Sequence, residues 1–577
     1  MAYLFNNPAD FADELTAGFT AAYPGWVRQV PGGVVRSTET KPGTVAVITG
    51  GGSGHYPAFA GLVGHGLAHG AAMGNIFASP SAQQVYSVAK SAQKGGGVLL
   101  TYGNYAGDVL NFNQAQERLN AEGIRTATVA VTDDISSAAA SEAHKRRGIA
   151  GDLAVFKVAG ASADAGHSLD DVVRIATLAN SRTRSIGIAF SGCTLPGSSQ
   201  PLFTVPEGKM AVGMGIHGEP GIREEDLPTA DEAAELLVRS LLDEAPDGTQ
   251  GGRIGLILNG LGAVKSEELF VVYRRVAQLL DDAGYTIVDP EIGEMVTSFQ
   301  MAGVSLSLIW LDEELEHYWR APASTPAYRK GAVEKQDLAA AQSAAELDAM
   351  EELPEASEVS HHAAGRIREL LETLQKVVDA NVEELGRIDS IAGDGDHGIG
   401  MQRGATAAAQ AGSQAVARGA GAGTTLALAG DAWAHKAGGT SGALWGMLLN
   451  TLGQRLGDRE APSAATVAGA ITEAGRKIMD FGKAQLGDKT LVDVLVPFAQ
   501  ALEGEVAAGK SLDMAWSAAA AVAEESATAT ANLLPKMGRA RPLAQKSLGT
   551  PDAGAVSMAL IIRSIAEQLT SKERIHD

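Results

Sequence analysis

The sequence predicts an α/β region followed by an all-α region, and two observations carry this prediction. Over residues 1–330, short apolar β-branched runs alternate with stretches of helical character, as they do in α/β folds. Over residues 361–577, apolar residues recur at helical spacing among many alanines, and few runs resemble strands. We therefore predict mixed sheets with helices in the first region, divided into two α/β subdomains, and a helical domain after a linker at 331–360.

Seven apolar runs of the first region are predicted to be strands. These runs are Val45–Thr49, Gly97–Tyr102, Thr126–Thr132, Ser185–Phe190, Ile254–Asn259, Tyr285–Asp289 and Val304–Leu311. Most of them end in glycine or another turn residue, and ligands of α/β proteins bind at the carboxyl ends of strands. The stretches "GGGSGH" at 50–55 and "GNYAGD" at 103–108 follow two of these runs, so we expect a binding site there.

The linker and the helix after it are recognised by a change of composition. The linker is rich in Ala, Glu and Ser, which is typical of a flexible or helical connection, and Pro354 is its only proline. The spacing of the apolar residues that follow predicts an amphipathic helix. These residues are Ile367, Leu370, Leu371, Leu374, Val377, Val378 and Leu385.

The composition limits the classes of function. The 577 residues carry a formal net charge of −22, which argues against binding to nucleic acid or to an anionic membrane. Cys193 is the single cysteine, which excludes an intrachain disulfide and suits a reducing compartment. The first residues lack the basic segment of a signal peptide, and no apolar run approaches the ~20 residues of a membrane span. We therefore expect a soluble, cytoplasmic protein.

The glycine-rich stretch after the first predicted strand resembles a phosphate cradle, but it fits neither common nucleotide motif. A dinucleotide fingerprint that started at Gly50 would need glycine where His55 stands, and one that started at Gly52 would need glycine at Pro57. A P-loop would need a closing Gly-Lys-Ser/Thr, which this stretch lacks. Phosphate binding is therefore better assigned to another part of the chain.

The helical region contains the sharpest acidic motif, "RIDSIAGDGDHGIGM". Asp389, Asp394 and Asp396 are three carboxylates close together, and they repel one another unless a cation neutralises them. The spacing differs from that of an EF-hand loop. Carboxylate oxygens beside glycine N–H groups suit Mg²⁺ on nucleotide phosphates, whereas the alternative is a solvated acidic turn.

A second glycine-rich motif of this region, "HKAGGTSGALWG", places Thr440 and Ser441 between glycines where a helix is expected to begin. Free N–H groups at a helix start, together with small hydroxyls, form a natural phosphate site. The alternative is a plain turn between helices. The motifs "FGKAQLGDKTLVD" and "GRARPLAQKSLGTPDAGA" are weaker signals of further nucleotide loops.

The α/β region offers three side chains suited to chemistry. His217 lies in "GMGIHGEPGI", where the neighbouring glycines leave the ring accessible, although a lone histidine is more often structural. Asp108 follows Gly107 at a predicted turn. His55 and Asp108 would form a general acid/base pair if their loops converge.

Taken together and in order, the motifs resemble those of the single-chain ATP-dependent dihydroxyacetone kinases. The resemblance rests on "GGGSGHYPAF", "FASPS", "GNYAGDVLNF", "MGIHGEPG", "GDGDHG", "GGTSG", "GDKTLVD" and "PDAGA", and it spans roughly residues 15–565. It implies an N-terminal α/β domain that binds a short ketose and a C-terminal barrel of helices that binds ATP with Mg²⁺. It also implies a homodimer, and whether the ATP domain acts on the ketose site of its own subunit or caps that of the other stays open.

On the ketose side, the resemblance implies roles for individual residues. His217 would add to the substrate carbonyl and form a covalent hemiaminal, which selects ketoses over polyols and fixes the reacting hydroxyl. Asp108 with His55 would activate that hydroxyl. The residues implied to line the ketose are Gly52, Ser53, Gly54, His55 and Asp108.

On the ATP side, the resemblance implies that Asp389, Asp394 and Asp396 hold Mg²⁺ on the phosphates. Arg539 would stabilise charge on the transferred phosphoryl group. The residues implied around the nucleotide are His397, Gly398, Ile399, Gly400, Thr440, Ser441, Gly482, Thr490, Leu491, Arg539, Asp552, Ala553 and Gly554.

The chain departs from the family pattern in several places, and "GRARP" lacks the aromatic residue that usually follows this motif. Gly103 stands where the family commonly has Lys, Asn75 where an acid is usual, and Ala553 where Pro is usual. The first two would open room for a longer substrate, so dihydroxyacetone and the four-carbon erythrulose both stay open. Two other functions stay open as well: a non-catalytic ketose-binding sensor, and an Mn²⁺-dependent activity that cleaves FAD.

Overall fold

The computed structural model describes residues 4–249, 251–334, 336–339, 353–391, 393, 395–537 and 545–573. The chain forms two compact units, Met1–Asp348 and Ala349–Asp577. The first unit contains two mixed sheets with helices, and the described part of the second is helical. The predicted succession of an α/β region and an all-α region is thus confirmed. Within the described ranges, no helix combines the length and the apolar character that a membrane crossing requires.

Six strands form the first sheet: β1 (Val27–Val30), β2 (Gly33–Arg36), β3 (Ala46–Ser53), β4 (Gly70–Ile76), β5 (Val98–Gly103) and β6 (Thr126–Val131). Their order is β1-β2-β4-β3-β5-β6, and β4, β3, β5 and β6 run parallel. β4, the next strand in the chain, pairs with one edge of β3, and β5 pairs with the other edge. The carboxyl ends of β3 and β5 therefore flank the kind of crevice in which open α/β sheets bind ligands.

The glycines at 50–52 lie within β3, and the prediction that the strand ends before them is wrong. A Cβ on Gly51 would stand 2.2 Å from the Phe59 ring, and a Cβ on Gly52 would stand 2.6 Å from the Ala78 nitrogen. The glycines are thus required because other parts of the chain pack directly on this strand. The turn begins at Gly54, whose φ of +108° favours glycine.

The remaining strands are β7 (Thr183–Ala189), β8 (Cys193–Thr194), β9 (Pro201–Phe203), β10 (Lys209–Val212), β11 (Arg223–Asp226), β12 (Arg253–Gly260), β13 (Thr286–Gly293), β14 (Gly303–Leu311), β15 (Ala323–Ser324) and β16 (Arg329–Lys330). The second sheet has the order β11-β10-β7-β14-β12-β13, while β8 pairs with β9 and β15 with β16. All seven predicted strands are present, with ends shifted by no more than four residues.

Helices cover both faces of the first sheet. The helices of this unit are α1 (Phe11–Ala22), α2 (Ala82–Ala92), α3 (Ala106–Ala121), α4 (Asp152–Asp164), α5 (Leu169–Ser181), α6 (Ala230–Leu242), α7 (Ser266–Asp282) and α8 (Glu313–Arg320). Side chains of β3 alternate between two cores: Val47 packs in the core that includes α4 and α5, and Ile48 in the core that includes α2 and α3. Such two-sided burial explains the continuous apolar runs of the strands.

The second unit is a ring of helices. Its helices are α9 (Glu358–Asp379), α10 (Val382–Asp389), α11 (His397–Ala417), α12 (Ala422–Ala437), α13 (Gly439–Leu456), α14 (Ala464–Gly482), α15 (Val492–Ala507), α16 (Leu512–Ala529) and α17 (Ala553–Glu573). From α11 onward each helix packs on the next, and α9 packs on both α11 and α17. The ring is therefore closed, which is the barrel that the resemblance implies.

Short connections give this barrel a simple polarity. Helices joined by short loops run antiparallel to their neighbours. The amino ends of α11, α13 and α15 therefore share one end of the barrel, and the carboxyl end of α14 lies there too. This is the end to which the glycine-rich motifs of the helical region belong.

Candidate active site

Two histidines from different sheets meet at the carboxyl end of β3. His55 follows that strand, and His217 lies in the loop between β10 and β11. Their Nε2 atoms are 3.0 Å apart, and their rings meet edge to face with centroids 4.8 Å apart. His55 is fully buried, and His217 keeps 12% of its side chain exposed. The pair thus combines a buried ring with one that a ligand can reach.

The hydrogen bonds of the pair limit where its protons can be. His55 Nδ1 lies 2.7 Å from the carbonyl oxygen of Thr297, and His217 Nδ1 lies 3.1 Å from Oε1 of Glu219. A carbonyl oxygen and an ionised carboxylate only accept hydrogen bonds, so both Nδ1 atoms donate. One further proton then lies between the two Nε2 atoms. Burial lowers the pKa of His55 to about 3, so His55 is neutral and keeps its one ring proton on Nδ1.

Glu219 is itself held by a second ion pair. Arg147 places Nη1 3.7 Å from Glu219 and donates from Nη2 to Asp134 at 2.8 Å. Sequence reasoning missed Glu219 as a site residue, although it stands two positions after His217 in the motif that drew attention. Thr297 was missed because it contributes a backbone oxygen, which no side-chain pattern reveals.

Aromatic rings enclose the histidine pair. Phe77 stacks on His55 with centroids 4.8 Å apart, and the Tyr105 ring meets the edge of His217 at the same distance. Phe77 has a φ of +52°, an uncommon conformation for a bulky residue, and it brings this ring onto His55. These walls keep bulk water from the buried side of the imidazoles.

Three of the predicted ketose residues lie on the strand and turn that lead to His55. Gly52 belongs to β3, Gly54 makes the turn, and the hydroxyl of Ser53 donates to the carbonyl of Gly74 at 2.7 Å. The Ser53 side chain is thus committed to the fold. Beside the histidine pair, this segment therefore presents backbone groups rather than a free hydroxyl.

Asp108 lies in the first turn of α3, at the carboxyl end of β5, as the strand order requires. It is buried, and its Oδ1 has no hydrogen-bond partner within the described residues. Burial raises the pKa of this carboxyl to about 7. Both ring nitrogens of His55 are engaged by Thr297 and His217, and the acid/base pair of His55 and Asp108 stays a prediction.

In the second unit, carboxylates gather where α10 ends and α11 begins. Asp389 is the last residue of α10, and its Oδ2 accepts from the Gly395 nitrogen at 2.8 Å. Desolvation and the charge of Asp389 raise the pKa of Asp396, which directly precedes α11, to about 6. Asp394 and Arg539, both predicted site residues, lie outside the described residues.

A third carboxylate approaches from α17. Burial, Asp389 and Asp493 raise the pKa of Asp552, the residue before that helix, to about 7. Mutual repulsion of this kind marks a set of oxygen donors that a hard cation would relieve, and carboxylates are the ligands that Mg²⁺ prefers. Asp389 and Asp396 therefore fit the cation that the resemblance implies. Among the described residues, no group of three or more His, Cys, Asp or Glu side chains is placed to hold a metal ion.

The other predicted nucleotide residues occupy helix ends of the barrel. His397 bonds Ser557 of α17 at 3.0 Å, which ties the start of α11 to that helix. Gly554 lies close to Leu491, since a Cβ on this glycine would stand 3.6 Å from that of Leu491. The further predicted residues at the ends of α11, α13, α14, α15 and α17 are Gly398, Ile399, Gly400, Thr440, Ser441, Gly482, Thr490 and Ala553.

Comparison with known proteins agrees with this architecture. The Dak1 domain model matches residues 17–327, and the DAK2 domain model matches residues 391–567. The L-erythrulose kinase of Pectobacterium atrosepticum is 62% identical over 99% of this chain and 97% of its own length. The D-erythrulose kinase of Mycolicibacterium smegmatis is 53% identical over 99% of both chains.

A solved structure of similar extent is also known. The dihydroxyacetone kinase from C. freundii, in complex with AMP-PNP and Mg²⁺, is 30% identical with a TM-score of 0.52, covering 98% of this chain and 99% of that chain. The two domain models match in the expected order, and the relatives match from end to end. Both findings assign the chain to one family. The chain belongs to the single-chain dihydroxyacetone kinase family, which includes the erythrulose kinases.

Proposed function

We propose that the protein is an ATP-dependent kinase that phosphorylates a terminal hydroxyl of a short-chain ketose, with erythrulose preferred to dihydroxyacetone. The first unit binds the ketose, and the helical unit binds ATP with Mg²⁺. The observation that carries the proposal is the His55–His217 pair, held between Thr297 and Glu219 at the carboxyl end of β3. The preference for four carbons is supported by relatives named as erythrulose kinases. The homodimer and the cytoplasmic location stay predictions.

The proton between the histidines gives the ketose a route to a covalent adduct. As the carbonyl oxygen enters beside the pair, it takes this proton, and the freed Nε2 of His217 bonds the carbonyl carbon. The product is a hemiaminal with a new hydroxyl, and the imidazole of His217 carries the positive charge. Glu219 stabilises that charge because it accepts from Nδ1 at 3.1 Å. His55 stays neutral throughout, and the hydroxyl proton returns to Nε2 of His217 when the ketose leaves.

Asp108 serves as the general base for the phosphoryl transfer. Its carboxylate takes the proton of the terminal hydroxyl, the hydroxyl oxygen bonds the γ-phosphorus of ATP, and ADP leaves. Because the ketose is fixed to His217, the attacking hydroxyl is held in place before the transfer. Mg²⁺ held by Asp389, Asp394 and Asp396 would neutralise charge on the ATP phosphates.

A kinetic panel tests the proposed function. Purified protein with Mg²⁺ and ATP is expected to release ADP with dihydroxyacetone and with at least one erythrulose enantiomer, and kcat/KM should be higher for the tetrulose. Glycerol, which lacks a carbonyl, should give no ADP above background. Addition of EDTA should stop turnover, and excess Mg²⁺ should restore it. Absence of ADP with all three ketoses would refute the kinase assignment.

A further inference from the structure

Two buried polar atoms near the histidine pair have no use in the reaction described above. They are the hydroxyl of Tyr105 and Oδ1 of Asp152, and neither has a hydrogen-bond partner in the part of the chain that the structure describes. Asp152 is only 2% exposed. Native proteins satisfy nearly all buried polar groups, so unsatisfied ones near an active site point to a ligand that completes them.

Both residues border the position where Gly103 ends β5. A Cβ on Gly103 would stand 3.2 Å from Oδ2 of Asp152 and 3.2 Å from Cε2 of Tyr105. The absence of a side chain at Gly103 therefore leaves the carboxyl and the phenol ring as close neighbours. The Tyr105 ring also contacts His217, with centroids 4.8 Å apart. The Tyr105 ring thus adjoins His217, and the Asp152 carboxyl lies beside Tyr105 at Gly103.

The cations of the neighbourhood are used elsewhere. Arg147, which faces Tyr105, pairs with Asp134 and Glu219. Asp152 instead has carboxylates around it: burial, Asp133 and Asp108 raise its pKa well above the usual range. A neutral carboxyl can donate one hydrogen bond and accept another, which matches the needs of an alcohol.

The backbone holds Asp152 firmly in this place. Asp133 accepts hydrogen bonds from the nitrogens of Ile149 and Gly151, at 3.0 and 2.9 Å, and so fixes the turn that starts α4. The Asp152 nitrogen in turn donates to the Ile149 carbonyl at 3.0 Å. A site residue fixed by its own supporting hydrogen bonds is suited to discriminate between substrates.

We propose that Asp152 and Tyr105 form a hydroxyl-binding subsite for the additional carbinol group that a four-carbon ketose has and a three-carbon ketose lacks. This inference rests on the proposed function and names the residues that set its chain-length preference. The subsite acts on binding and selection, while His217 and Asp108 act on the reacting atoms. A site built to bond a substrate hydroxyl discriminates against analogues without it, because its polar groups then stay unpaired.

The test compares kcat/KM for erythrulose with that for dihydroxyacetone in four variants. Tyr105→Phe keeps the ring beside His217 and removes the hydroxyl, so the tetrulose-to-triose ratio is expected to fall about tenfold. Asp152→Leu should lower this ratio by about tenfold or more. Asp152→Asn keeps a donor and an acceptor, so the ratio should stay within about threefold of the wild type. The matched control is Tyr86→Phe: the Tyr86 hydroxyl bonds Glu122, the residue after α3, and its removal should leave kcat/KM for both substrates unchanged.

The outcomes separate the two proposals. If the wild type phosphorylates no ketose, the proposed function fails. If the wild type is active but Tyr105→Phe and Asp152→Leu lower kcat/KM by the same factor for both substrates, the subsite is refuted and the residues are structural. If the tetrulose-to-triose ratio falls as far in Asp152→Asn as in Asp152→Leu, the role of Asp152 as a neutral carboxyl is refuted. Thermal melts identify any variant that does not fold, and the near-isosteric Tyr105→Phe and Asp152→Asn then decide the matter.

Discussion

Replacing His217 by alanine is expected to lower kcat/KM for ketose phosphorylation by about a thousandfold or more. The variant loses the covalent attachment that fixes the attacking hydroxyl, and such positioning accounts for a large share of enzymatic rate enhancement. Its preference for ketoses over glycerol should disappear as well, because no group then distinguishes a carbonyl from an alcohol. Initial rates of ADP release with erythrulose, dihydroxyacetone and glycerol measure both effects.

A matched control excludes a general effect of removing a histidine. His317 is exposed on α8, and its replacement by alanine should leave turnover unchanged. Normal activity in the His217→Ala variant would contradict the covalent mechanism. A comparable loss in both variants would show that the effect is not specific to the pair.

Asp108→Asn is expected to lower kcat/KM by about 10² to 10⁴-fold, the usual contribution of a general base. The wild type should also show a pH dependence that this variant lacks. A base works only when ionised, and burial raises the pKa of Asp108 to about 7. Below that pH the carboxyl is protonated, so kcat/KM should fall about tenfold per pH unit and level off above it.

The pH profiles of the wild type, of Asp108→Asn and of a control variant, Asp282→Asn, check this expectation. Asp282→Asn, at an exposed position near the end of α7, should reproduce the wild-type profile. A wild-type kcat/KM that is independent of pH across neutrality would contradict the assignment of Asp108. So would an acid limb that persists unchanged in Asp108→Asn.

Much of the fold could be predicted from the sequence because its central strands carry strong β-branched signals. One strand that was missed, β4, has a different composition. β4, Gly70–Ile76, consists mainly of glycine, alanine and methionine, because other parts of the chain pack closely on it. A Cβ on Gly74 would stand 2.0 Å from the Ala78 carbonyl oxygen. Tertiary packing selects these residues, so their propensities predict no strand.

The sequence points to the residues with proposed reacting roles, but not to the residues that support them. His55, Asp108 and His217 stand in glycine-rich motifs that the sequence makes visible. Thr297 holds His55 through a carbonyl oxygen 242 residues away. Asp152 becomes a candidate site residue only because it is buried beside Gly103. The burial of a single polar residue cannot be predicted from local sequence.

The end of the barrel to which we assign phosphate binding carries clearer sequence signals. Its motifs stand at helix starts, and antiparallel packing of neighbouring helices brings alternate starts together. The glycine stretch at 50–52, in contrast, resembles a phosphate cradle but is part of a buried strand. Its glycines admit Phe59 and the Ala78 backbone onto a buried strand, so their spacing carried no information about a nucleotide.

The most direct test of the account is ¹³C NMR of the protein with a ketose labelled at C2, without ATP. The account predicts a protein-bound signal from a tetrahedral carbon bonded to nitrogen, and loss of that signal in His217→Ala. A bound ketose whose labelled carbon remains a carbonyl in the wild-type protein would contradict the account.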